Sequence, residues 1–378
     1  PMDPAALDGV LVADFSRVLA GPYATMLLAD LGATVVKVER PGSGDDTRAW
    51  GPPFAPDGQS TYFHSVNRNK RSIALDLTDP DDLAVALNLA QTCDVLVQNY
   101  KPGGLRRFGL DHASVAAVNP GVVYCSISGF GSGEGRDLPG YDLLVQAMGG
   151  LMSITGDDEP TKAGVAVVDV LTGLHATVAV LAALRHRDLT GSGQHVEVSL
   201  LSALLSSLVN QSSAYVGAGE VPQRLGNAHP SIAPYDLFAT ADRPMIIAVG
   251  NDAQFRRLAE VLQRPDLADN PDYLTNSDRV AHRDNLKADL ERVLRTHGAD
   301  DWQRALTASG IPCGPINTIE QAFEQASRLG LDPVVDAGGM PVVANPVKYT
   351  GTPPRYRSAP PQVDADRAEV LALLRERS

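Results

Sequence analysis

The chain has 378 residues, 44% of them hydrophobic, enough to bury a large core and to divide into two domains. Its formal net charge of -13 argues against a nucleic acid partner, which needs a basic face, yet leaves room for one phosphorylated ligand held by a few arginines. Three cysteines, Cys93, Cys125 and Cys313, are too few and too scattered for a disulfide framework or a zinc site, so a reducing, cytoplasmic setting without a structural metal is expected.

The opening residues, Pro1-Met-Asp-Pro-Ala-Ala-Leu7, have neither the basic start nor the apolar run of an export signal, and Pro1 before Met2 reads as a cloning remnant. Residues 10–15 then read as a strand, 22–31 as a helix and 34–39 as a strand. Strand 72–77, helix 80–91 and strands 94–98 and 122–127 follow, the helix opening on Asp81 and Asp82. Such alternation predicts a parallel sheet wrapped by helices, with ligands gathered at the carboxyl ends of the strands. The loops at those ends carry Ser16-Arg17, Arg40, Asn99-Tyr100 and Ser128-Gly129. The first turn, Ser16 to Pro22, lacks the three-glycine dinucleotide pattern and the phosphate loop ending in Gly-Lys, which disfavours hydride transfer and ATP hydrolysis. Glu39-Arg40 stands where such sheets often hold a ribose and its phosphate; a surface ion pair is the plainer reading.

Residues 165–184 are apolar but for a few polar residues, and Asp169 is the one carboxylate among them. An ionised carboxylate in that setting costs several kcal/mol unless partners hold it. It is therefore either a working group or a buried acid that caps a helix or accepts backbone donors. The stretch approaches membrane-spanning length, but Asp169, Thr172 and His175 interrupt it, so a loop running into a buried helix is expected, with no membrane contact.

A turn at 190–193, a strand at 195–198 and a helix from Leu200 come next. The large domain's N-terminal part is set at 1–215. Gly, Pro and Gln then mark residues 216–229 as a linker. Residues 230–320 read as a small mixed domain, with strand-like runs at 233–240 and 245–250 and helices at 252–262, 279–296 and 299–309. Residues 321–378 return to the large domain through an extended stretch, a strand at 343–349 and an amphipathic helix at 364–377.

Several motifs follow one another in a distinctive order: Ala20-Gly-Pro-Tyr-Ala24, the run Leu31 to Pro41, Gly44-Asp-Asp-Thr-Arg48, Asn69-Lys-Arg-Ser72, Asp94 to Tyr100 and Pro139-Gly-Tyr-Asp142. With Asp169, Gly191-Ser-Gly-Gln194 and Gly310-Ile-Pro-Cys-Gly-Pro315, the chain resembles the family III coenzyme A transferases, also called the CaiB/BaiF family, from about Leu7 to its C-terminal helix. The resemblance implies an α/β fold, with a Rossmann-like large domain, an inserted small α/β domain and an obligate homodimer of two interlocked rings. The active site would then lie between the large domain of one chain and the small domain of the other.

By the same resemblance, Asp169 is the catalytic carboxylate. It attacks an acyl-CoA thioester to give a mixed anhydride, then becomes an aspartyl-CoA thioester that an acceptor acid reverses. Amides near Gly129 or Gly173 would hold the developing oxyanions. Arg40, Leu75, Asn99, Tyr100 and Arg107 match positions around CoA, Ala20 lines the first turn, and Arg17 and Leu19 replace a histidine and a glutamine of the formyl-CoA transferase branch. Ser128 and Pro139 replace lysines of that branch, and Val249-Gly-Asn-Asp-Ala253 replaces its glycine-rich loop, which argues against formyl or oxalyl specificity. Candidate acceptor contacts are Arg17, Tyr141, Asp142, Asn227 and His229, and Arg17 or Arg48 would meet a second carboxylate. CoA and acyl-CoA act as substrates; no permanently bound cofactor or metal is implied, and succinyl-CoA is a candidate donor.

Two rival functions remain open on the sequence. A 2-methylacyl-CoA or 2-arylpropionyl-CoA racemase shares the fold but needs a histidine where this chain has Tyr141, whose ordinary pKa of about 10 suits it poorly to two-way proton transfer. A non-catalytic CoA-binding protein would have no need of Asp169.

Overall fold

The computed structural model describes residues 4–377; the opening Pro1 and Met2 lie outside them. Six strands form one sheet: β1 Leu11–Asp14, β2 Thr34–Glu39, β3 Lys70–Ala74, β4 Val95–Gln98, β5 Val123–Ser128 and β6 Gln194–Ser199. All pairs are parallel, in the order β3-β2-β1-β4-β5-β6. Strand order reverses between β1 and β4, which opens a crevice at their carboxyl ends.

The apolar runs of β1 to β5 are buried on both faces, as a parallel sheet requires, while edge strand β6 is only partly covered. On one face Val12, Val35, Val97 and Ile127 pack with Ala24, Leu28, Val168, Ala176 and Val180, from helices Ala20–Asp30 and Val167–Thr190. On the other, Leu11, Val36, Ile73 and Leu96 meet Ala86 and Leu89 of helix Pro80–Thr92, and Val370 and Leu374 of helix Arg367–Arg377. The chain's last helix thus returns to the first sheet. Helix Val167–Thr190 has a length and hydropathy that would suit a bilayer, but 44% of its most apolar window is buried within the protein.

The chain divides into two compact units. One comprises the chain up to Leu151 with Ala163–Glu220 and everything from Leu331; the other comprises Met152–Lys162 and Val221–Gly330. In the second, β7 Tyr235–Phe238, β8 Met245–Ala248 and β9 Cys313–Pro315 form an antiparallel sheet, with Met245 and Ile247 packed on Phe255, Leu258, Leu286, Leu290 and Leu306. Arg224 ties 152–162 to this unit by donating to the carbonyls of Ser153, Asp157 and Asp158 at 3.2, 2.9 and 3.2 Å.

Four local expectations are corrected. The strand expected at 72–77 is Lys70–Ala74, because Asp76 accepts the Thr78 amide at 2.9 Å and turns the chain. The helix expected at 279–296 is two, Asn276–Ala281 and Arg283–Leu294, the first opened by a reciprocal Thr275–Asp278 capping box. The helix from Leu200 is also two, Leu200–Ser207 and Asn210–Ala218, separated by Val209 with φ 40°. The strand expected at 343–349 does not run past Val343: Pro346 has no amide to donate, and Asn345 bends the chain by accepting the Val347 amide at 3.0 Å. Instead β10 Val334–Ala337 and β11 Met340–Val343 make a hairpin about Gly338-Gly339, whose φ of 62° and 88° suit glycine.

Candidate active site

The site is built on the loop after β1. Burying three successive peptide units requires a partner for each polar group, and four side chains supply them. Asp14 accepts the Ser16 amide at 3.0 Å and Lys37 Nζ donates to the Ser16 carbonyl at 3.0 Å. Asn99, just past β4, accepts the Arg17 amide at 3.0 Å and donates to the Arg17 carbonyl at 2.7 Å. Asp45 accepts the Val18 amide at 3.2 Å. Val18 sits at φ 72°, a costly conformation for a β-branched residue that persists only where its surroundings enforce it.

Lys37 and Asp45 form a fully buried ion pair at 2.8 Å. Burial alone would raise the Asp45 carboxyl, yet the Lys37 ammonium holds it below its usual range. Lys70 beside Asp14 is pushed down to about 8, by burial and, after the opposing pull of Asp14, by Lys37. The first turn therefore rests on a buried ionic layer instead of a glycine-rich loop.

Asp169 occupies the first turn of helix Val167–Thr190. The residue before that helix, Ala166, has no acceptor to cap it, and Asp142 serves from a distance. Asp142 Oδ1 accepts the amides of Val168 at 2.7 Å and Asp169 at 3.0 Å, while its Oδ2 accepts from Gln146 Nε2 at 2.6 Å. Gln146 Oε1 in turn accepts the Ala163 amide at 2.9 Å. Burial, then the neighbouring Asp142 carboxylate, pushes Asp169 up from 3.8 to about 7. The positive end of the helix opposes this, but is worth less than one pKa unit, about 0.3–1 kcal/mol. The same carboxylates reach Tyr62, raised to about 12 by burial, then Asp169, Asp142 and Asp45. Tyr62, Tyr23, Ala166 and Val170 pack against Leu19, Met26 and Val66, an apolar patch beside the carboxylate.

Asp169 opens into a narrow cleft of about 90 Å³ lined by Arg17, Val18, Leu19, Ala20, Asn99, Ser128, Gly129, Gly140, Tyr141 and Leu200. Gly129 and Gly140 bring its walls together: a Cβ on either would lie 2.5 Å from the other's Cα. A Cβ on Gly173 would meet the Ala20 carbonyl at 2.7 Å, so that glycine lets helices Val167–Thr190 and Ala20–Asp30 approach. Its amide belongs to the helix ladder, which removes it as an oxyanion donor and leaves Gly129 at the cleft.

Of the residues singled out in the sequence, Asp169, Arg17, Ala20, Asn99 and Tyr141 thus share one cleft. Tyr100 lies beneath the Arg17 guanidinium, 5.1 Å from ring centre to Cζ. Asp142 does not line the cleft and has both oxygens committed, so its part is to cap the helix and act on Asp169 by charge. Leu75 is buried beyond β3, Arg40 is exposed and paired with Asp46, and Arg107 lies over the Phe108 ring at 4.5 Å. Asn227 and His229 belong to the second unit; Asn227 lines a cavity of about 780 Å³ there, and His229 Nδ1 accepts the Ser231 amide at 3.0 Å. Glu39 neither pairs with Arg40 nor stays open for a ribose: it is buried, and Arg48 grips it at 2.6 and 2.8 Å. Lys37 and Asp45, which lie within the motifs at 31–41 and 44–48, join the site without any sequence signal that sets them apart from the other charges there.

The sequence matches the family model described as CoA-transferase family III over residues 7–367. The chain is 45% identical over 381 residues to the succinate–glutarate CoA-transferase of Agrobacterium fabrum, covering 97% of this chain and 95% of that protein. It is 39% identical over 368 residues to the acetyl-CoA:oxalate CoA-transferase of Acetobacter aceti, covering 96% and 94%. Among solved structures, a CaiB/BaiF family protein from Brucella suis superposes with a TM-score of 0.89 at 41% identity, covering 98% of this chain and all of that one.

Proposed function

The chain belongs to CoA-transferase family III, and we propose that it moves coenzyme A from succinyl-CoA to a second carboxylic acid, with Asp169 as nucleophile. It is an enzyme of the CoA-transferase class, so CoA thioesters and carboxylates are its substrates. The observation that carries the mechanism is Asp169 itself: a carboxylate raised to about 7, in a narrow cleft at the crevice of the sheet.

A carboxylate that is poorly solvated is a stronger nucleophile than one in water. Asp169 attacks the thioester carbonyl, the carbon–sulfur bond breaks, and CoA leaves as the thiolate. The thiolate then attacks the Asp169 carbonyl of the mixed anhydride, releasing the first acid and leaving an aspartyl-CoA thioester. The acceptor carboxylate attacks that thioester and displaces the thiolate. The thiolate finally attacks the acceptor's carbonyl, and the Asp169 carboxylate is restored. In this reading Gly129 supplies an amide to the oxyanions, while Arg40, Asn99, Tyr100 and Arg107 bind CoA along its length.

The working form is proposed to be a homodimer of interlocked chains, with Asn227 and His229 of one protomer approaching the acceptor in the other's cleft. Support comes from large apolar side chains left in water on neighbouring helices and at the Val209 break between two of them: Leu143, Met148, Leu174, Val178, Leu205, Val209 and Val216 are all at least 42% exposed. The racemase reading is disfavoured because Tyr141 stands at the second base position and no histidine lines the Asp169 cleft among the described residues.

Incubating the protein with succinyl-CoA and a pool of carboxylic acids, and following new acyl-CoA species by mass spectrometry, tests this function. New species that vanish in Asp169→Ala support it. Silence, with deuterium uptake at C2 of a branched acyl-CoA in D2O, would favour the racemase.

A further inference from the structure

Two charged side chains line the Asp169 cleft: Asp169 and Arg17. The cations around them are already engaged. Lys37 holds Asp45, Lys70 holds Asp14, Arg48 holds Glu39 and Gln59, Arg40 holds Asp46 and Arg68 holds Asp30. Arg17 differs from all of them. Its Nε is buried without a hydrogen-bond partner, and it makes no ion pair among the described residues.

A guanidinium kept partly out of water with an unused donor is costly until an anion reaches it. Its backbone is also immobilised, since Asn99 takes both polar groups of residue 17 and Asp45 takes the next amide. The chain therefore mounts on a held backbone a cation that rests on the Tyr100 ring and has no anion of its own among the described residues. The phosphates of CoA are a poor match, because the whole pantetheine arm separates them from the thioester that must reach Asp169. A carboxylate at the far end of a short acyl group is a good one, as it fits the planar fork of arginine.

Building on the transferase reading, we infer that Arg17 determines specificity by binding the distal carboxylate of a dicarboxylate acyl group. Donor acyl and acceptor acid must each form the same mixed anhydride on Asp169, so each in turn occupies this one cleft. Both partners are then short dicarboxylates, with one carboxyl at Asp169 and the other at Arg17. Arg48, whose charge alone made it an equal candidate, is excluded by its grip on Glu39.

The test compares full-length wild type, Arg17→Gln and Arg17→Lys on two matched pairs: succinyl-CoA with glutarate, and butyryl-CoA with valerate. The kcat/KM ratio of dicarboxylate to monocarboxylate pairs should fall about 10- to 100-fold in Arg17→Gln, as expected for losing charge-assisted hydrogen bonds. Arg17→Lys should keep part of the preference, and calorimetric affinity for free CoA should not change in either variant. Equal losses on both pairs with weaker CoA binding would make Arg17 a phosphate ligand and overturn the inference. An unchanged ratio in both variants would also overturn it. Wild type that transfers CoA to neither acid sinks the transferase reading and this inference with it, whereas active wild type with an altered CoA affinity in the variants sinks the inference alone.

Discussion

Asn99 and Arg17 are joined across the crevice between β1 and β4 by two hydrogen bonds running in opposite directions, at 3.0 and 2.7 Å. One amide side chain thereby satisfies both backbone polar groups of the residue that carries the cleft's cation. Asn99→Ala should destabilise the protein by about 1–3 kcal/mol, two buried hydrogen bonds' worth, with kcat/KM falling further than folding alone explains. Asn99→Asp keeps the acceptor and loses the donor, so it should fall between the two. Denaturant midpoints beside steady-state rates check this; an active, fully stable Asn99→Ala would refute it.

The nucleophile must be ionised, and Asp169 titrates at about 7. The kcat/KM for transfer should therefore fall about tenfold per pH unit below that value and level off above it. Asp142 is the second cause of the raised value, so Asp142→Asn should move the midpoint toward acid. A flat profile from pH 5 to 8 would contradict the assignment.

Between 3.8 and about 7 the folded protein keeps on Asp169 a proton that the unfolded chain has lost. Stability from this group therefore falls as pH rises through that window, and above it the charged carboxylate opposes folding. Asp169→Asn should abolish transfer while raising the thermal midpoint at pH 8, with the gain vanishing near pH 4. Differential scanning calorimetry at the two pH values decides it.

Gly129→Ala or Gly140→Ala would place a methyl 2.5 Å from the opposing Cα, which neither backbone can tolerate without moving. A stability loss of about 1–3 kcal/mol is expected from overpacking, with a larger loss of activity because these residues form the cleft walls. Gly131→Ala is the control for space, since nothing lies within 4 Å of its Cβ position, although its φ of 85° carries a strain of its own.

Much of the scaffold was legible because it rests on local pattern. Apolar runs separated by helical periods require a parallel sheet, and its strand ends bring Arg17 and Asn99 together. Helix Pro80–Thr92 opens where its sequence places it, on Asp81 and Asp82, whose amides Asp79 accepts as the cap. The hairpin is written in Gly338-Gly339, a turn signal that a strand expectation starting at Val343 does not take in.

What the sequence determined by itself is the α/β sheet and the presence of one carboxylate in an apolar stretch, since burial pattern and residue type are properties of neighbouring positions. Which partner each charge takes was settled only by the tertiary structure. Glu39 bonds Arg48 and not Arg40, and Asp142 caps the helix of Asp169 from 27 residues away. Arg17 is left with its Nε unpaired. Electrostatic pairing and desolvation depend on distance in space, to which spacing along the chain is a poor guide, and so the same few arginines and aspartates read alike in sequence yet become scaffold, cap or candidate site once folded.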